Sequence, residues 1–120
     1  MSVTTVDMEI LLDEWTKQEL ATIVDYTVKV EKLGGEMAHA YAWHDGIFKH
    51  AIIVIDTAVA NTPMLWRGVL WHEFCHVWDY FQTGSMGHYD KWIKRWISRP
   101  WHILEMLIPF PIYLYNLARR

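Results

Sequence analysis

The sequence predicts a single α+β domain spanning residues 1–120. Three observations point to it. An apolar stripe of helical period lies near the N-terminus, extended patterns fill the middle, and helical spacing returns after residue 62. Hydrophobic residues make up 52% of the chain and include eight tryptophans, which is ample material for a core and excludes a disordered segment. The net charge of −3 is unevenly spread: residues 1–60 carry ten acidic and four basic side chains, residues 61–120 four and seven. That asymmetry is too mild to indicate a nucleic-acid binder by itself. Cys75 is the only cysteine, so neither an internal disulfide nor a four-cysteine zinc ribbon can form. MSVTTVDMEI has neither the basic nor the apolar region of a signal peptide, and a cytoplasmic protein is the resulting expectation.

From Met8 to about Leu20 the residues Met8, Leu11, Leu12 and Trp15 share one helix face. Val24, Tyr26, Val28 and Val30 then alternate with polar residues as in a half-buried strand, and Gly34-Gly35 ends it. Met37, His39, Tyr41 and Trp43 point one way and Ala38, Ala40 and Ala42 the other, up to an Asp45-Gly46 hairpin signal. Phe48 to Asp56 contains AIIVI, apolar on both faces, and should be the best-covered member of a small three-stranded sheet. Thr62 is the expected N-cap and Pro63 the first residue of a helix running to about Gln82, which Thr83-Gly84 stops. A second helix is expected from His88 to Ser98, limited by Pro100.

The stretch WHEFCHVWDY, residues 71–80, lies on the first of these two helices. At about 100° per residue with His72 at zero, His76 falls near 40° and Asp79 near −20°. Leu70, Trp71, Phe74, Val77, Trp78 and Phe81 lie on the opposite side, so the helix has an apolar face that does not need the histidines. Imidazoles at i and i+4 can reach one ion. Glu73, about 100° from His72, is poorly placed as a ligand but well placed to take a proton from a metal-activated water. HExxH is thus the arrangement of a zinc hydrolase.

A catalytic zinc takes three protein ligands and keeps one position open. His88 is the candidate third ligand. Six residues carry the helix about 9 Å past His76, and the five from Thr83 to Gly87 can return the chain by up to roughly 16 Å. His88 also shares an i, i+4, i+8 line with Trp92 and Trp96, and Gly87 lends backbone freedom beside it. Asp79 and Glu105 are alternative carboxylate ligands, with Asp79 also suited to orienting an imidazole. Cys75 reads as a buried small residue. His39, His44 and His50 read as surface or hydrogen-bonded side chains, and Gly68 as room for substrate or for close packing against the sheet.

HEFCH, followed after His76 by GHYDKW, resembles the SprT-like metallopeptidases, in a stretch from about Ile23 to Trp96. The resemblance implies a minimal zincin-like fold, zinc held by His72, His76 and His88, Glu73 as general base, and an extended protein or peptide substrate paired with an exposed strand. Tyr26, Tyr41 and Tyr89 are candidate oxyanion partners. The chain departs from many members in lacking the cysteine-rich ribbon, and no DNA-binding module is evident. The basic stripe Lys91, Lys94, Arg95 and Arg99 gives weak support for nucleic acid. The expected function is a zinc-dependent endopeptidase. The alternative is a non-catalytic, metal-stabilised module that binds protein or nucleic acid. For the apolar segment 100–120 two roles stay open: Leu104, Leu107, Ile108, Phe110 and Ile112 close the core, or residues 101–118 contact a membrane or partner.

Overall fold

A computed structural model describes residues 3–119 and has the α+β architecture. Helix α1 (Thr5–Glu19) is followed by strands β1 (Val24–Glu31), β2 (Ala38–Asp45) and β3 (Phe48–Asp56). Helices α2 (Thr57–Ala60), α3 (Leu65–Thr83), α4 (Asp90–Ile97), α5 (Pro100–Leu107) and α6 (Phe110–Arg119) complete it. The first helix starts before the apolar stripe because a capping box opens it. Thr4 Oγ1 accepts from the Asp7 amide at 3.1 Å, and the Asp7 carboxylate accepts from the Thr4 amide. Met8, Leu12 and Trp15 are buried as the stripe requires.

The sheet order is β1-β3-β2, with β3 central, parallel to β1 and antiparallel to β2. This agrees with the apolar character of AIIVI on both faces. Val24, Tyr26 and Val28, with Ala51, Ile53 and Ile55, form the inner face, and Ala38, Ala40 and Ala42 pack beside them. The β2–β3 hairpin turns one residue later than Asp-Gly suggests. Asp45 still pairs with Phe48, and the two loop residues are Gly46, at φ 63°, and Ile47. A positive φ at the first loop position alone is the type II′ pattern, which calls for glycine there.

Two boundaries differ from the sequence reading. Asp56, fully buried, caps the unforeseen helix α2 by accepting from the Ala58 amide at 2.9 Å, and it also accepts from the Leu33 amide at 2.8 Å. Thr62 is consequently no N-cap. Its hydroxyl donates to the Ala58 carbonyl at 2.6 Å, and α3 begins only at Leu65, after Met64 at φ 71°. At the other end of the site, α4 begins at Asp90, so His88 precedes the helix. Pro100 does not merely limit α4 but opens α5 at a first-turn position, where its missing N–H costs nothing.

Helix α3 is the axis of the molecule, touching α1, β2, β3, α4 and α5. Leu70, Trp71, Phe74, Cys75 and Val77 are fully buried on it, so Cys75 is the small core residue expected. Glu19 at the end of α1 pairs with both Arg95 and Arg99, whose guanidinium groups lie over the Trp78 and Trp71 rings at 4.4 and 4.7 Å. Two members of the basic stripe are therefore spent on joining α1, α3 and the α4–α5 segment.

The tail corrects one of its two readings. Leu104, Leu107, Ile108, Phe110 and Ile112 are all exposed, whereas His102 and Tyr113 are buried and Met106 and Leu117 pack against the core. Gly68 serves α5, neither the sheet nor a substrate. A Cβ there would stand 2.6 Å from the His102 carbonyl oxygen and 2.9 Å from the Met106 amide nitrogen. Gly68→Ala should therefore force the two helices apart and lower stability by about 1–3 kcal/mol, measured by urea denaturation. An unchanged midpoint would show that the α3–α5 approach is slack.

Candidate metal centre

His72 and His76 stand one turn apart on α3, and the loop after Gly84 brings His88 to them. Gly84, at φ 79°, ends α3 in the left-handed conformation and lets the chain fold back. Gly87 is not at a positive φ, so its position needs no special backbone freedom, and a Cβ there would meet only the exposed, movable Tyr89 ring. The Nε2 atoms of His76 and His88 each lie 3.3 Å from His72 Nε2, and the three ligand nitrogens fall within 4.8 Å of one another. A tetrahedral ion with bonds of about 2.0–2.1 Å sets its nitrogen ligands about 3.3–3.4 Å apart. Two edges of such a site are already in place, and the three residues lie close enough to bind one metal ion.

Proton accounting supports a cation there. His72 Nε2 faces two other nitrogens, and a neutral imidazole nitrogen either donates one hydrogen or accepts one. Hydrogen bonding satisfies one of the two contacts, whereas an ion at the centre engages all three lone pairs. Burial holds the His72 imidazole down to about 4, with His76 and His88 contributing in that order. Burial, then His88, likewise lowers His76 to about 4. Both rings are thus in the neutral form that ligates metal.

Trp92, buried, faces all three rings, with centroids 4.8 Å from His72, 5.0 Å from His76 and 4.4 Å from His88. Trp96 stacks on it at 5.3 Å, and the Trp96 carbonyl accepts from Trp71 Nε1 at 3.0 Å. The Nδ1 atoms of His72 and His76 are buried without a well-formed hydrogen bond, so packing does most of the work of orienting these rings.

Glu73 is 6% exposed, and burial, then Glu36, raises its carboxyl to about 8. Glu36, which also bonds His39 Nδ1 at 2.9 Å, is a neighbour that sequence spacing could not reveal. The remaining candidates stand elsewhere. Asp79 orients no imidazole: its Oδ1 accepts from the Thr83 hydroxyl at 3.1 Å, and it lines a cleft with Thr83, Ser85 and Tyr89. Glu105 binds His102 and Arg67 and is no ligand. His50 lies 3.5 Å from Asp25, and His44 packs on Tyr80 and Phe81, so neither joins the cluster.

Two outcomes follow. Purified protein should hold close to one metal ion per chain by elemental analysis, and His88→Ala should lose most of it; retention by the variant would remove His88 from the site. In metal-free protein, the unfolded chain protonates His72 and His76 below about 6.5 while the folded chain waits until about 4, so stability falls as the pH drops through that window. Glu73 acts oppositely: folded protein keeps its proton up to about 8, the unfolded chain loses it near 4.5, and stability falls as pH rises between them. These groups together should give a maximum near pH 6.5, and Glu73→Gln should remove the decline on its alkaline side in denaturation curves. A decline that persists in that variant would assign it to other groups.

Against protein-family models, curated proteins and solved structures the chain finds no match, so the reading of this centre rests on its own geometry and chemistry.

Proposed function

We propose that the protein is a zinc-dependent endopeptidase. The observation that carries this reading is the convergence of His72, His76 and His88, the first two held neutral by burial, with the buried carboxyl of Glu73 next to His72 on α3. Three nitrogen ligands are the donor set of catalytic zinc, which leaves the fourth position open. A zinc ion held there supplies Lewis acidity toward water and toward a peptide carbonyl. His72, His76 and His88 hold that ion. Glu73 follows His72 directly, and no hydrogen bond among the described residues fixes its carboxyl. Its pKa near neutrality suits a group that accepts a proton and then returns it to a leaving amine. A nearby dication would draw the carboxyl toward its ionised form, the form that acts as base.

The substrate surface in this reading is β2. It is an edge strand beside α3, with one row of backbone groups free to pair with an extended peptide. Tyr89 is the preferred oxyanion partner of the three tyrosines. It is 71% exposed and follows His88, whereas Tyr26 is buried with its hydroxyl 2.7 Å from Thr16 Oγ1, and Tyr41 lies on the outer face of the sheet.

Glu73→Gln separates this reading from a metal-stabilised binding module. The variant should keep its zinc and its fold but cleave an unfolded substrate such as casein at least about 100-fold more slowly than wild type. Zinc-loaded wild type that leaves casein, denatured proteins and peptide libraries intact would reject the peptidase and favour the binding module.

A further inference from the structure

We propose that Tyr80, with His44 beside it, forms a subsite that selects an aromatic or long aliphatic side chain in the peptide bound along β2. The inference rests on the reading of β2 as the substrate strand, and adds the register of the peptide and the side chain it must carry.

The hydrogen-bond ladder sets the register. The Asp56 amide donates to the Met37 carbonyl at 2.9 Å, one step before the pair Ala38–Ile55. In an antiparallel ladder, bonded pairs alternate with unbonded ones. Met37, His39, Tyr41 and Trp43 therefore turn their backbone groups toward β3, as does Asp45 opposite Phe48. Ala38, Ala40, Ala42 and His44 turn theirs to the open edge, where no hydrogen bond among the described residues takes them up. The other edge of the sheet is partly closed, because Glu9 Oε2 accepts from the Val28 amide of β1 at 3.0 Å. A peptide residue lying opposite Ala42 points its side chain to the same face as Ala42, whichever way the peptide runs. That face is the inner one, toward α3.

Tyr80 is what such a side chain meets. With His72 at zero on α3, His76 is at about 40°, Tyr80 at about 80° and Glu73 at about 100°. His44 marks the side on which β2 lies. Its ring is 6.1 Å from Tyr80 and 5.1 Å from Phe81, and Phe81 stands at about 180°. Half-buried Tyr80 is thus between the histidine face and the strand. It lies one turn, about 6 Å, beyond His76, which puts the side chain it meets within about three residues of the bond at the metal. Ala42 adds only a methyl group to this face and His44 is exposed, so ring surface is left for the peptide to cover.

The test is binding of fluorescein-labelled peptides to the zinc-loaded full chain carrying Glu73→Gln, read by fluorescence anisotropy. One peptide is a short chain of serine, threonine and glutamine with a central phenylalanine, and the other has alanine in its place. The phenylalanine peptide should bind at least about tenfold more tightly. Adding Tyr80→Ala should bring the two affinities together, whereas Tyr80→Phe should keep them apart. Ala42→Leu fills the subsite from the strand side, should also close the gap, and serves if Tyr80→Ala does not fold, with circular dichroism and zinc content as controls. Equal affinities, a preference that survives these substitutions, or failure of both peptides to bind overturns the proposal. Wild type decides the peptidase separately. Cleavage of casein without a phenylalanine preference keeps the peptidase and removes the subsite, while preferential binding without any cleavage keeps the subsite and removes the peptidase.

Discussion

Leu70, Trp71, Phe74 and Val77 are completely removed from water, and on the same turns of α3 Glu73, His76 and Asp79 are nearly so. Burying polar groups beside a core of this kind is costly unless they are neutral or bonded. Most of these groups meet that demand. The His72 and His76 imidazoles stay unprotonated, the Glu73 carboxyl keeps its proton when no cation is near, and Asp79 Oδ1 accepts from Thr83, while Asp79 Oδ2 is buried with no hydrogen-bond partner among the described residues. The enclosure of α3 thus sets the ionisation states at the site before any ligand arrives. It also requires neighbours on every side of the helix, and the rest of the fold supplies them.

The third histidine depends on that surround at one remove. His88 belongs to no element, so its position follows from the two helices that flank its loop. Gly84 sets the exit from α3, and α4 is fixed against α1 through Arg95 and Glu19. Trp92 then provides a flat wall that all three imidazoles touch. An ion pair far from the metal site and an aromatic contact within it therefore act in series. The first places the helix, and the second orients the rings.

Much of this was legible in the sequence, and the exceptions share a cause. Strict alternation located β1, and the continuous apolar run of β3 marked the central strand, because both patterns report burial directly. Helical spacing placed His72 and His76 together for the same reason. The N-terminus of α3 is hidden in the sequence because Thr62 and Pro63 look like a start signal, yet Asp56 caps an extra turn of helix and Thr62 bonds back to it. Gly68 gave no hint of its partner, since the α5 backbone it accommodates lies more than thirty residues along the chain. Local chemistry was readable, while contacts made by distant backbone were not.

The tail shows where apolarity alone misleads. Its leucines and isoleucines have the composition of a core segment, yet the structure turns His102, Glu105 and Asn116 inward and leaves much of the apolar surface outside. The inward polar residues explain the choice. Glu105 can bind Arg67 only from the α3 side, and Asn116 reaches Thr62 only from the α2 side. Turning either helix over would bury apolar groups but strand these partners, and an unpaired polar group in a nearly closed site is costly. Gly68 adds a steric term, because the close approach it permits needs the α5 backbone in its present register. The orientation of the tail is therefore fixed by polar pairing and close packing, and the exposed apolar face is their consequence.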